Sequence, residues 1–191
     1  MPSLLETLSF ITGLICVWLT VRQNIWNFPI GLLNVATFCV VFFESKLYAD
    51  AGLQIVYFVL GVMGWYWWLY GGEGHQELKV TRTSGREMAA VIAAGIVLTV
   101  IFWQLLSQIG GSASFFDALT TSISLCAQWL LNRKLLENWL FWIVADIIYI
   151  PLYVYKELYL TAALYALFLV LAVMGLLKWR ESMNAEMEVA A

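Results

Sequence analysis

NWLFWIVADIIYIPLYVY, running from Asn138 to Tyr155, has one charged side chain in eighteen positions, Asp146. A helix of that length spans roughly the ~30 Å hydrocarbon core of a bilayer. Within it Asn138, Trp142, Asp146, Tyr149 and Tyr153 recur at spacings of 4, 4, 3 and 4. At about 100° per residue this confines all five to one stripe. An apolar helix with a single polar, aromatic stripe belongs in a membrane, with the stripe turned toward protein or a solute. A carboxyl group near a span centre carries an insertion cost of roughly 2.5–3.5 kcal/mol, so Asp146 needs a compensating partner. No Lys or Arg stands at comparable depth, which leaves a protonated acid, water, or a cationic ligand. A flat cation among these rings would gain a further ~0.5–2 kcal/mol per well-placed ring. The bland reading of the same stripe is a seam of interhelical hydrogen bonds with interfacial tyrosines at one end.

Outward from this segment the chain looks the same. Its 191 residues are 62% apolar and 12% charged, far from the balance of a soluble domain. Apolar runs predict seven transmembrane helices at 7–22, 27–43, 49–70, 87–107, 115–132, 138–155 and 158–179, an all-α integral membrane protein of one domain. Only residues 71–86 are long enough to be a linker. The first run follows Glu6 without a basic flank or a small-residue cleavage site, so it is expected to remain as a span. If the helices alternate, Lys46 and Lys156 fall on one side and Arg22, Lys79, Arg82, Arg86, Arg133, Lys134, Lys178 and Arg180 on the other. The positive-inside rule then places the carboxyl terminus in the cytoplasm and the amino terminus outside.

A shift of 111 residues superimposes the chain on itself without a gap. Asn27 meets Asn138, Leu47-Tyr48 meets Leu158-Tyr159, Val62-Met63-Gly64 meets Val173-Met174-Gly175, and Trp68 meets Trp179. Upstream, Trp18-Leu19 meets Trp129-Leu130 and Arg22 meets Arg133. The repeat holds three spans, 7–70 and 115–179, and the unpaired fourth span at 87–107 restores a common direction. Two parallel three-helix repeats joined by a linker helix are a transporter architecture, with the solute site near mid-membrane between them.

Other helices repeat the polar design. Asp50, Gln54, Tyr57, Gly61, Gly64, Trp65 and Trp68 share one side of the third helix, Asn27, Gly31 and Asn34 a face of the second, and Asp117, Thr121, Ser124 and Gln128 a face of the fifth. The glycines fit a close-packing seam equally well. Most of the rings in Trp65-Tyr66-Trp67-Trp68 and Tyr70 are expected to form an interfacial belt, with one contacting a ligand. Pro29 sits harmlessly in a first helical turn, whereas Pro151 removes an interior bond.

Several function classes drop out. A net charge of −3 offers no footprint for nucleic acid. His75 is the only histidine and lies in a polar loop, so neither a metal centre nor a Ser-His-Asp relay is expected, and Cys16, Cys39 and Cys126 read as small core residues. There is no phosphate-binding G-x-x-x-x-G-K-[ST] loop, and no cofactor is implied. An intramembrane hydrolase pairing Asp50 with Asp146 is disfavoured because the two sit at different depths. A scaffold acting through its loops is disfavoured because the loops are short and the polarity lies inside the spans.

Trp26-Asn27-x-x-x-Gly31, Gly64-Trp65-Tyr66-x-Trp68 and Asn138-Trp139-x-x-Trp142 resemble the PnuC family of bacterial vitamin transporters, over nearly the whole chain. The resemblance implies a 3+1+3 arrangement like that of full-length SWEET sugar transporters, a homotrimer, and facilitated uptake across the inner membrane, most often of nicotinamide riboside for NAD biosynthesis. It also makes Trp142 the ligand-stacking ring, with Asn138 and Trp139 completing its motif. Asp146 departs from the amide usual four residues after that Trp, and thiamine, another flat cation, stays open beside nicotinamide riboside. Neutral riboflavin fits the acid least. The expected substrate-binding set is Trp142, Asp146, Asn138, Gln54, Gln128, Asn34, Tyr149, Trp65 and Tyr57.

Overall fold

The computed structural model describes residues 4–44, 48–109 and 114–190. Seven helices follow one another: α1 (Leu4–Val21), α2 (Asn27–Glu44), α3 (Tyr48–Tyr70), α4 (Gly85–Ile109), α5 (Ser114–Asn132), α6 (Asn138–Tyr155) and α7 (Tyr159–Ala190). Their order and edges follow the sequence reading, with one exception. α7 runs eleven residues past the expected end at 179, because Met183 continues its buried face and Glu186 reaches Lys79 at 3.7 Å.

Five of the helices, α2, α3, α4, α6 and α7, are long and apolar enough to cross a bilayer. α5 is not among them, and its position explains why. It packs against α3, α4 and α6, and it buries Thr120, Ser122 and Ser124. Two of these hydroxyls donate back to their own helix, Thr120 to the Phe116 carbonyl and Ser122 to the Ala118 carbonyl, both at 2.8 Å. A hydroxyl satisfied in this way is no burden inside a bundle.

α1 packs on α2 and α7, α2 on α3, α3 on α5, α5 on α6, and α6 on α7. Six helices therefore close a ring, and α4 lies outside it against α5. The outward faces stay apolar, as at Val59 and Val62 of α3, Ile96 and Val100 of α4, and Val170 and Leu177 of α7. Lipid is the expected solvent for such faces.

One end of the ring is sealed by indoles. Trp68 donates its Nε1 hydrogen to the Leu131 carbonyl, and Trp179 donates its own to the Thr20 carbonyl, each at 3.0 Å. Phe28 meets the Trp68 ring edge-on at 5.1 Å, Trp139 meets Trp179 edge-on at 5.4 Å, and Trp68 and Trp179 touch at 5.7 Å. Trp68 is thus core and not interfacial belt; Tyr66 and Tyr70 are the exposed rings of that run. Gly64 and Gly175 leave the space these groups occupy, since a methyl at Gly64 would collide with Phe28 and Asn132, and one at Gly175 with Trp139.

The turns between α1 and α2 and between α5 and α6 have the same shape. Gln23 and Lys134 are both left-handed, at φ 53° and 54°. Asn27 Nδ2 donates to the Asn24 carbonyl at 2.8 Å and Asn138 Nδ2 to the Leu135 carbonyl at 2.6 Å. The 71–86 linker is pinned to the second of these turns: Leu136 N donates to the Thr81 carbonyl at 2.9 Å, and Glu137 accepts from the Thr83 N–H and hydroxyl, both at 2.8 Å. Lys134 donates to the Leu78 carbonyl at 2.8 Å and sits 4.7 Å over the Trp68 ring. Burial draws its ammonium below the ordinary lysine range, and Glu77 opposes that shift.

Candidate functional site

Inside the ring lies a cavity of about 190 Å³, walled by α1, α2, α3, α5 and α7. Its floor is made by Phe28 and Leu131 of the indole cluster. Gly13, Gly31 and Gly61 form small-residue wall, and Leu32, Val35 and Phe168 give it an apolar character. Among the polar lining groups, Thr20 is bonded to the Cys16 carbonyl at 2.9 Å and Cys16 Sγ to the Asn27 carbonyl at 3.3 Å. Asn27 also lines it, with its Nδ2 given to the Asn24 carbonyl, and Asn34, Tyr57 and Gln128 complete the polar side chains of the lining.

Asn34 and Tyr57 reach side chains of neighbouring helices, and Gln128 is held by Asn132 of its own helix. Asn34 Nδ2 on α2 donates to Thr12 Oγ1 on α1 at 2.6 Å. Gln128 Nε2 donates to Asn132 Oδ1 at 2.8 Å, and Asn132 Nδ2 donates across to the Leu60 carbonyl of α3 at 2.8 Å. The Tyr57 hydroxyl lies beside Ser124 of α5 and Tyr149 of α6. Amides and a phenol among apolar walls are the kind of lining that can orient a flat solute by hydrogen bonds.

α6 contributes no residue to the described lining. Its stripe stands behind the wall. Tyr149 stacks on Tyr153 at 5.4 Å and tilts against Tyr165 of α7 at 4.6 Å, and Tyr165 meets Phe168 of the cavity edge-on at 5.5 Å. Asp146 is 3% exposed, beside Tyr149 and Tyr165, and forms no ion pair with any described residue. Asp146 is thus a buried carboxyl group beside phenols, with no cation paired to it among the described residues.

Of the residues expected from sequence, Asn34, Tyr57 and Gln128 line the cavity. Trp142 and Trp65 are partly buried against the apolar cluster that supplies Phe28 and Leu131 to its floor. Asn138 is fully buried; its Nδ2 is used by the α5–α6 turn, while its Oδ1 and Trp139 Nε1 lack a partner among the described residues. Asp146 and Tyr149 lie behind the wall, and Gln54 is half-buried on α3. Asp117 closes the opposite end of the bundle in a 2.6 Å ion pair with Lys156, and Asp50 is exposed at the start of α3. No cluster of three metal-ligating side chains occurs among the described residues.

Sequence reasoning overlooked Phe168, Tyr165 and Asn132. The 111-residue shift held a signal for the first two, since it carries Tyr57 onto Phe168 and Gln54 onto Tyr165. It also pairs Val17 with Gln128 and Thr20 with Leu131, and all four line the cavity.

A profile of the family described as nicotinamide mononucleotide transporters matches residues 3–181. The nicotinamide riboside transporter PnuC of Escherichia coli (strain K12) is 26% identical over 206 residues, covering 94% of this chain and 86% of that protein. The riboflavin/roseoflavin transporter RibM of Streptomyces davaonensis is 28% identical over 174 residues, covering 88% and 81%. A crystal structure of the vitamin B3 transporter PnuC is similar at a TM-score of 0.74 and 26% identity, over 95% of this chain and 82% of that one.

Proposed function

The chain belongs to the nicotinamide mononucleotide transporter family, and on that premise we propose that it carries nicotinamide riboside across the bacterial inner membrane by facilitated diffusion, with metabolic trapping in the cytosol. The observation that carries this reading is a cavity inside a closed helix ring, lined by three amides, a phenol, a threonine hydroxyl and apolar side chains, with no Lys or Arg among its described lining residues. A mononucleotide would bring its phosphate into that wall without a cation to meet it, a desolvation cost the riboside does not incur. The pyridinium instead gains from the aromatic rings and from the carboxyl of Asp146 behind them. Relatives named for nicotinamide riboside, matched over most of their length, support the same choice. Asp146 also favours a second reading, thiamine, whose thiazolium is likewise a flat cation.

In this mechanism Asn34, Tyr57 and Gln128 meet the solute first. Trp142 and Trp65 offer stacking faces, and Gln54, Asn138, Asp146 and Tyr149 complete the site as the helices part. A cavity of about 190 Å³ is smaller than the ~300–1,000 Å³ of usual small-molecule pockets, so a nucleoside enters with movement of the wall.

The moving bodies are two parallel three-helix repeats, α1–α3 and α5–α7, with α4 as linker. What supports the duplication is the shared turn geometry at Gln23 and Lys134 and the paired indole bonds of Trp68 and Trp179, all at one offset of 111. The amino terminus lies outside and the carboxyl terminus in the cytoplasm. In support, the basic 71–86 linker and the turn bearing Arg133 and Lys134 meet at the same end of the bundle. Three copies associate, a state read out by the mass of the detergent-solubilised complex.

Purified protein in liposomes is expected to equilibrate radiolabelled nicotinamide riboside without ATP or a proton gradient. Accumulation above equilibrium that collapses with an uncoupler would overturn passive carriage, and thiamine bound more tightly than nicotinamide riboside would overturn the substrate.

A further inference from the structure

We propose that Asn132 is a positioning residue that fixes the Gln128 amide with its oxygen toward the solute, so that the site discriminates for a hydrogen-bond donor on the ligand. The inference rests on reading the cavity as the solute site.

A backbone carbonyl has no proton to give. The Asn132 atom 2.8 Å from the Leu60 carbonyl is therefore its NH₂ group, which makes the other terminal atom the acceptor Oδ1. The Gln128 atom 2.8 Å from that oxygen must in turn be Nε2. Two amides thus relay the one-way chemistry of an α3 carbonyl to the cavity wall, and Gln128 Oε1 is left without a protein partner among the described residues. Asn132 is fully buried, while its partner Gln128 is partly exposed at the cavity wall.

The relay depends on Gly64, because a side chain at that position would collide with Asn132 Oδ1. It also exists on one side of the bundle only. The offset of 111 carries Val17 onto Gln128 and Val21 onto Asn132, so the first three helices have valines where α5 has its amides. A carbonyl oxygen held at a fixed place rewards an N–H or O–H on the ligand and penalises a ligand that presents another acceptor there. In a nicotinamide riboside the groups of that kind are the carboxamide NH₂ and the ribose hydroxyls.

The test is isothermal titration of the full-length, detergent-purified chain with nicotinamide riboside, nicotinic acid riboside, and the 2′- and 3′-deoxy ribosides. Wild type is expected to prefer nicotinamide riboside by at least about ten-fold over one of the analogues that lack a donor. Asn132→Leu, Gln128→Leu and Gly64→Ala are each expected to reduce that preference to about two-fold or less. Gly64→Ala leaves both amides in the chain, which keeps the test decisive if Asn132→Leu fails to fold. A purely structural Asn132 would weaken all four ligands by one factor and leave their ratios intact. That result would overturn the inference, as would a preference that survives Gln128→Leu. A wild type that binds none of the four would instead overturn the substrate reading on which this rests.

Discussion

The stretch from Trp18 to Phe28 and the stretch from Trp129 to Trp139 do the same mechanical work with different interior side chains. Both end one helix and start the next through a left-handed residue, and both receive an indole N–H on a carbonyl at 3.0 Å. Yet the helices flanking the first turn carry Val17, Val21, Gly31 and Val35 where those flanking the second carry Gln128, Asn132, Trp142 and Asp146. Backbone-directed bonds and close packing are alike in the two regions; the groups able to recognise a solute differ, Asn34 of the first matching Ala145 of the second, and the amides, indole and acid of the second matching valines and a glycine of the first. The frame is thus held by paired features, and selectivity by unpaired ones.

The most damaging way to break the paired features is to delete an indole. Trp68→Ala and Trp179→Ala should each destabilise by about 3–5 kcal/mol, since both rings are almost wholly buried and each supplies a hydrogen bond. Thermal unfolding in detergent should show the two losses to be similar, and a marked inequality would mean that the turns are not mechanical equivalents. Next come Gly64→Ala and Gly175→Ala, each expected to lose roughly 1–3 kcal/mol by overpacking against Asn132 and Phe28 or against Trp139. The same melting assay checks them.

The unpaired features call for binding measurements. Asp146→Asn should weaken a cationic ligand by about ten-fold while leaving riboflavin affinity within about two-fold, since only a bound cation favours the ionised carboxylate and pairs with it. Equal losses for both ligands would assign Asp146 to packing. Lys134→Gln copies the first turn's residue into the second. Because burial lowers the Lys134 value in the folded chain, the unfolded chain binds its proton more tightly, and stability rises with pH between the depressed value and the ordinary 10.5. The substitution should remove that rise, as read from melting temperatures between pH 8 and pH 10. The smallest effect is expected at Lys79→Ala, under about 0.5 kcal/mol, because the 3.7 Å pair with Glu186 is solvent-exposed.

The helices were legible because apolar runs interrupted by charge have few other readings. The closed ring was not, since in lipid the inner and outer faces of a helix are equally apolar and no contrast marks which neighbour each will meet. Asn34, Tyr57 and Gln128 stood out as polar groups in apolar runs. Phe28, Leu131 and Phe168 did not, because an apolar side chain on a cavity wall is identical in composition to one in the core. Asn132 closed the 115–132 run beside Arg133 and Lys134 and so did not stand out, although the fold buries it completely. The α6 stripe was correctly seen as polar and inward, but whether it borders open space or only backs the wall depends on a few ångströms of helix packing, beyond the reach of periodicity.

α5 is not among the described helices apolar enough to count as a span, and α4, the helix synthesised just before it, packs chiefly on α5. A nascent segment that partitions weakly into lipid gains from entering beside an apolar companion. α4 is placed to act as that companion for the hydroxyl-rich helix, so its removal should lower the yield of membrane-inserted protein.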